Sequence, residues 1–594
     1  MLELRAVSVS FRIEAFEKNR LRSRVAIKDA SNELRTVLLR WEIAYNKENF
    51  FRGIRILLEA LRICRASFPK SEASDALAPL CCRMVDNWNP KIGWAYHEAT
   101  KHSPESVRSN PHFLDWANQP LPFKIYPALE LLHLPREMRH SKIAALSAIA
   151  ACMSAETDVM PDLGTVSQLL YLSAGITRHR KYPGGEIYFR AAACTGALYE
   201  VELYLVCGDV GELAAGIYHF SPGDFGLRRL RGGDYRGVLI QATASEPAIA
   251  RAPLVILCTC TYWRNAWKYQ ARTYRHFGWD NGTLLANLLA VAAAFGVPAR
   301  VLCGFVDAEL NRLLDVDSER EVVFSLVALG HDPTVPPHHA EISALGLATI
   351  PLSRREVDYP LMREMHAGSS LHNSDEAHRW RGGTPLTRFP PPAGRIIGIQ
   401  PLSETEMPHD NIEQVILRRG SSRKFSRAPI SLAQLSTLLD RATRGVPADF
   451  LDPWGTQLND LYLIVNAVEG FDPGAYVFHR ERGVLECLKQ GDFRSQAGHL
   501  GLDQQLPADA AVDIFFLADL RPILQRFGNR GYRAVQLEAG IIGGRLYLAA
   551  YAQGLGATGL TFYDDEVTRF FLPHAEGKSA IFLVAVGRSA KPLA

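Results

Sequence analysis

Arg418, Arg419, Gly420, Ser421, Ser422 and Arg423 form one unbroken run, which interrupts an otherwise helical pattern in NIEQVILRRGSSRKFSRAPISLAQLSTLL. Guanidinium groups, hydroxyls and the amides beside a glycine are the donors that hold a phosphate, through charge-assisted bonds and a concave nest of backbone N–H groups. The same composition also suits a solvated, arginine-rich turn between two helices, the second starting at a Pro429-Ile430-Ser431 cap. Cys258 and Cys260, in LVILCTCTYW, share one face of an expected strand. No second ligand pair accompanies them, so they read as buried packing and not as a metal site.

These residues are positioned by a repeat. ELYLVCGDVGELAAGIYHFSPGDFGLRRLRGGDYR, from Glu202, aligns without gaps on DLYLIVNAVEGFDPGAYVFHRERGVLECLKQGDFR, from Asp460, and both read as strand hairpins. At the same offset Arg272, Tyr274 and Arg275 fall on Arg530, Tyr532 and Arg533, and Gly282 and Gly296 fall on Gly540 and Gly554. Each copy carries strands, a long Ala/Leu-rich helix (LLANLLAVAAAFG, GGRLYLAAYAQGLG) and a closing strand (VVFSLVALG, AIFLVAVGR). Helices and strands mix without βαβ alternation, which predicts an α+β class. The boundaries expected are a basic helical N-terminal extension over 1–92, a first lobe over 93–335, a Pro-rich linker over 336–409 and a second lobe over 410–594. The linker composition (PTVPPHH, RFPPPAG) suits an extended connection over the surface. Within the extension, residues 26–67 read as amphipathic helix with arginines between the apolar positions.

The 594 residues are 47% hydrophobic and 22% charged with a net charge of +3, so no single-sign field selects nucleic acid or a membrane surface. No apolar h-region opens the chain and no long apolar run follows, and ten cysteines without framework spacing match a reducing compartment; a cytoplasmic protein is expected.

RRGSSRKFSRAPISLAQL resembles the opening signature of the nitroreductase superfamily, and GATGLTFYDDEV, from Gly556, resembles its flavin-facing loop. YHEATKHSPESV, LDWANQPLPFKIY, RAAACTGALYEVELY and WKYQARTYRHFGWDNG resemble its SagB-type dehydrogenase branch, which includes peptide thiazole and oxazole oxidases. The resemblance runs from about Tyr96 to Gly587 and implies a nitroreductase-like, FMN-dependent fold in two tandem lobes forming an intramolecular pseudo-dimer, with FMN at the interface.

Each lobe keeps a different half of the family's site. At the place of the arginine turn lobe one reads Ile149-Ala150-Ala151-Cys152-Met153-Ser154-Ala155-Glu156, and at the place of RAAACTGALY lobe two reads DPWGTQLNDLY. One composite site is therefore expected. The resemblance implies that Arg418, Arg419 and Ser421 hold the FMN phosphate and that Arg423 lies near N1 and the C2 carbonyl. It also implies that Thr558 and Gly559 approach N5 and that Thr195, Gly196, Ala197 and Leu198 line the ring edge. The turn of lobe one departs from the family in Ala193, Cys194 and Glu200. Lys268 and Tyr269 match a catalytic pair of the peptide-heterocycle oxidases, where a desolvated lysine is the base and the tyrosine positions the proton; lobe two has Arg526 and Phe527 there. The implied reaction is oxidation of a peptide-derived azoline-like heterocycle, with a peptide-modifying enzyme as a compatible partner. An NAD(P)H-dependent nitro or quinone reductase and a flavin-free scaffold are the other two readings.

Overall fold

The computed structural model describes residues 86–151, 158–182, 185–334, 336–337, 342–385 and 391–590, and two paired N-terminal strands, Leu2–Ala6 and Val9–Ile13. The expected helix over 26–67 lies outside the described residues, as does 152–157, most of lobe one's counterpart of the arginine turn.

Two seven-stranded antiparallel sheets carry the two copies. The central strands of the first are Glu321–Leu329, Leu254–Thr261, Val201–Cys207 and Gly216–Ser221; those of the second are Ser579–Gly587, Val512–Ala518, Asp460–Val465 and Gly474–His479. These strands are buried on both faces, and Cys258 and Cys260 are fully buried there as free thiols. The α+β class expected from the sequence is the class observed.

Between the sheets lie two long helices, Thr273–Ala294 of lobe one and Arg530–Ala552 of lobe two, buried along their whole length. They cross where the aligned glycines meet: a Cβ on Gly282 would lie 2.5 Å from the Gly540 backbone, and a Cβ on Gly540 would lie 2.9 Å from Gly282 Cα. Any side chain at either position would push the helices apart. One turn away Trp279 Nε1 donates to Gln536 Oε1 at 2.6 Å.

The aligned arginines of the repeat are clamps between lobes. From lobe one, Arg275 (2.5 Å) and Arg272 (3.1 Å) meet Asp564; from lobe two, Arg530 (2.6 Å) and Arg533 (3.1 Å) meet Asp307. All six side chains are buried, and the two arginines hold the Asp564 carboxyl well below the usual carboxylate range.

The Pro-rich connection is not an extended surface strand throughout. It contains helices Pro360–Gly368 and Ser374–Trp380, and it buries Met362, Met365 and Trp380. Helix Pro360–Gly368 is the counterpart of helix Lys91–Ala99: His366 Nδ1 lies 3.5 Å from Tyr274 OH and 3.3 Å from Arg533, while His97 Nδ1 lies 3.1 Å from Tyr532 OH and 3.3 Å from Arg275. The second copy thus reaches back to Pro360. Prolines near this segment masked an amphipathic helix that packs against helix Lys91–Ala99.

Candidate active site

The arginine turn follows helix Ile412–Arg418, which an Asn411–Gln414 capping box starts. Helix Leu432–Ala442 starts at the expected Ser431, with a second capping box to Gln434. Between them the backbone turns back onto the edge of the second sheet, where Ser422 N donates to Ala557 O at 2.9 Å. Of the stretch expected as a flavin-facing loop, Gly556 to Val567, the first five residues form the edge strand Gly556–Leu560, paired with Ser579–Gly587, and the last four open helix Asp564–Phe570. Thr558 is buried on it, and Gly559 N–H donates to the Tyr547 hydroxyl, which also lies 3.4 Å from Ser421 Oγ.

Arg419 crosses to lobe one. Its Nε and Nη2 donate to Ala191 O at 3.0 and 2.8 Å, at the start of the turn that contains Thr195–Leu198. Arg178, on strand Ile176–Tyr182 of lobe one, answers in the other direction, donating to Leu417 O (3.1 Å) and Arg418 O (2.9 Å). Neither guanidinium has a carboxylate partner among the described residues, and burial pushes the Arg419 pKa down. A partly buried cation without a counter-charge is costly unless an anion completes it. This corner therefore fits a phosphate ester.

Arg418 belongs to a different network. It pairs with Asp410 at 2.6 Å and donates to Tyr551 O at 3.0 Å, so it is tied to its own lobe. Arg178 was not singled out from the sequence; its only signal is a basic residue in ITRHRKY, the first strand of the hairpin that precedes the small-residue turn.

On the other side of the turn, Gly196 adopts φ +64, and Ala197 and Tyr199 are also left-handed, at φ 54 and 53. A Cβ on Gly196 would lie 2.8 Å from the Tyr269 hydroxyl, so glycine lets the backbone and this ring touch. Tyr269 ends helix Tyr262–Tyr269 and stands edge-on to His276 at 4.7 Å. Lys268 is half-buried, with Nζ 5.3 Å from the centre of the Tyr269 ring and no ion pair among the described residues. Its pKa is lowered by desolvation and then by the Arg423 charge from lobe two. The Tyr269 hydroxyl is pushed up by burial and by the neighbouring Asp280. Arg423 itself is exposed. The structure thus brings Arg419, Ser421, Arg423, the Thr195–Leu198 turn, Lys268 and Tyr269 to one interface between lobes.

The pseudo-symmetric location is filled. Arg526, the counterpart of Lys268, donates to Arg381 O (2.9 Å) and Gly382 O (2.7 Å). Trp380, fully buried, packs on Phe527 at 5.1 Å and donates to its carbonyl at 2.9 Å. Trp454 stands where lobe one has Gly196, and Thr384 N and Gly382 N pair with Asp452 O and Asp449 O. The cover of Lys268 in lobe one is looser. His112 bonds Trp267 O at 2.8 Å, while Phe113 and Trp116 remain 85% and 66% exposed.

The sequence profile of the Nitroreductase family matches residues 190–331 and 416–588, together more than half of the chain. The chain belongs to the nitroreductase family. Its two matched segments lie in the two lobes, so the repeat is a repeat of this family's unit. A crystal structure of a protein described as a nitroreductase, from Anabaena variabilis, shares 26% identity and superposes with a TM-score of 0.66. That likeness covers 84% of this chain and 99% of that chain. A protein of Methanocaldococcus jannaschii, also described as a nitroreductase, is 27% identical over 165 residues, covering 26% of this chain and 81% of that protein. The protein is a flavin-type oxidoreductase of this family, and no described helix is long and apolar enough to cross a membrane.

Proposed function

We propose that this nitroreductase is an FMN-dependent dehydrogenase of SagB type, which oxidises an azoline-like ring of a modified peptide. The observation that carries this reading is the state of Lys268: a half-buried amine beside a tyrosine, without an ion pair among the described residues, facing a cation from the other lobe. Such a lysine gives up its proton more readily than a solvated one and can then take a proton from carbon. FMN, when bound, supplies the hydride acceptor. Arg419 and Ser421, with Arg178 beside them, would hold its phosphate; Arg423 would sit toward N1 and the C2 carbonyl. Thr195, Gly196, Ala197 and Leu198 would border the ring from lobe one, and Thr558 and Gly559 from lobe two. The Tyr269 hydroxyl, held protonated against Gly196, would orient the substrate and steady Lys268. A simple reductase can draw its proton from solvent and gives the Lys268–Tyr269 pair no task.

The test is turnover of a synthetic azoline peptide by Lys268→Ala and Tyr269→Phe, with Arg526→Ala as the internal control. Both lobe-one variants are expected to keep bound flavin that dithionite still reduces, while turnover falls by ~10²–10⁴, the usual cost of a lost general base. Full turnover by Lys268→Ala, or its abolition in Arg526→Ala with flavin retained, overturns the assignment. Turnover of NADH with a quinone by both Lys268→Ala and the parent protein would favour the reductase reading instead.

A further inference from the structure

Glu200 stands at a place where lobe two has Leu458, and its side chain is fully buried. It faces Asp280 of the central helix; Cys194 Sγ and one oxygen of each carboxyl group lie within 4.8 Å of one another. Asp280 Oδ1 is satisfied, accepting from Thr195 N at 2.7 Å and from Thr195 Oγ1 at 2.9 Å. Asp280 Oδ2 and Glu200 Oε1 are buried and have no donor. Two opposed carboxylates in such a space repel and leave acceptors unsatisfied; a single proton between them removes both costs.

The second lobe supplies the comparison. Glu538, the counterpart of Asp280, accepts from Leu458 N (2.9 Å), Asn459 N (2.9 Å) and Asn459 Nδ2 (2.7 Å), and no second carboxyl group is present at the place of Glu200. The acid pair therefore occurs only on the lobe whose turn remains open.

We propose that Glu200 and Asp280 share one proton at neutral pH, and that this acid pair is the positioning device of the turn Cys194–Leu198, holding Gly196 against the Tyr269 hydroxyl. Asp280 grips the turn through Thr195, and the shared proton ties Asp280 to Glu200 at the start of the strand that follows. The titratable groups facing the pair are Cys194 on the turn, Cys260 on strand Leu254–Thr261 and Tyr269 on helix Tyr262–Tyr269. Burial, with the carboxyl pair adding to it, pushes all three up, so all three stay protonated and neutral and add no charge to the pair. Asn265, whose amide nitrogen has no other acceptor, completes the surround on the Glu200 side. The inference rests on the proposed function only in treating this turn as part of the working site, since protonation and turn order are read on the chain itself.

Infrared spectra of the full chain at pH 7 are expected to show the carbonyl band of a protonated carboxyl group that Glu200→Gln removes. Linkage gives an independent reading: a carboxyl raised by folding stabilises at low pH and loses that contribution as pH rises toward its folded-state titration. The folding equilibrium of the parent should thus fall by up to tenfold per pH unit relative to Glu200→Gln, from about pH 5 upward. Hydrogen exchange tests the positioning. Amides of residues 195–199 should exchange at the parental rate in Glu200→Gln, whose amide still donates to Asp280, and at least about tenfold faster in Glu200→Leu. An unchanged infrared band, equal pH slopes, equal exchange in the Gln and Leu variants, or a stoichiometric divalent metal that replaces the proton would each overturn the proposal. If Glu200→Leu does not fold, the band and the pH slope still decide the shared proton, and exchange in Asp280→Asn, with faster exchange expected, decides the positioning.

Discussion

Arg419→Ala separates a structural tie from a cofactor contact. The guanidinium makes two bonds to Ala191 O, at 2.8 and 3.0 Å, and joins the arginine turn of lobe two to the glycine turn of lobe one. Truncation leaves that carbonyl without its charged donor, which costs about 1–3 kcal/mol of folding stability whatever the ligand. If Arg419 also holds phosphate, FMN affinity falls by a further charge-assisted bond, about 1.5–3 kcal/mol, or roughly 10- to 150-fold in Kd. Arg418→Ala is the control: its ion pair with Asp410 has 29% and 39% exposed side chains, and such pairs contribute about 0–1 kcal/mol. FMN titration followed by flavin fluorescence, beside thermal unfolding of the same apo-proteins, reads the two effects independently. A large loss of stability with unchanged FMN affinity would make Arg419 a tie alone. Equal tolerance of Arg418→Ala and Arg419→Ala would place the phosphate elsewhere.

Released FMN should amount to about one per chain, because Trp380 and the chain bonded to Arg526 occupy the second pseudo-symmetric location; a ratio near two on reconstituted protein would refute the composite site. Asp564→Asn should cost about 3–5 kcal/mol by urea unfolding, since it leaves Arg272 and Arg275 buried without their counter-charge. The sign with pH follows from the depressed Asp564 pKa: its contribution is complete above the unfolded-state value, near 3.9, and is lost as pH falls toward the folded one. The parent should therefore lose stability below about pH 4 more steeply than Asp564→Asn, and parallel acid profiles would show that the clamp is not carried by charge.

Much of this arrangement was legible in the residues because symmetry doubles the signal. Gly282 and Gly540 aligned in sequence for the reason that they touch in space: each is the only residue that fits the crossing of the two helices. Ser431 and the Gln434 three residues on marked a helix start by chemistry that is entirely local. Asp307 and Asp564 were not legible, because an acidic residue heading a short helix looks the same whether it meets solvent or two arginines from another lobe. Arg178 was hidden for a similar reason. Its role depends on carbonyls at the end of a helix more than 200 residues away. Trp380 was obscured by neighbouring prolines, whose composition describes a linker while its ring packs on Phe450 and Phe527 of the second copy.

The asymmetry has a physical origin that neither half shows alone. A symmetric pair would place the same cover, lysine and turn on both lobes, and in lobe two Trp380 and Arg526 fill space that lobe one leaves open. Trp380 replaces exposed aromatic cover, Arg526 bonds the chain that lies over it, and Trp454 stands where Gly196 admits a tyrosine hydroxyl. Filling that location buries a tryptophan completely, which contributes stability that an open ligand site cannot. Lobe one runs the other way. It keeps three left-handed residues in one turn, two of them not glycine, and a half-buried lysine without an ion pair among the described residues. Such features cost about 1–3 kcal/mol each when nothing compensates them. A fused pair can carry this cost on one lobe because the other no longer shares it, and the buried clamps Arg275–Asp564 and Arg530–Asp307 transmit that support across the helix crossing.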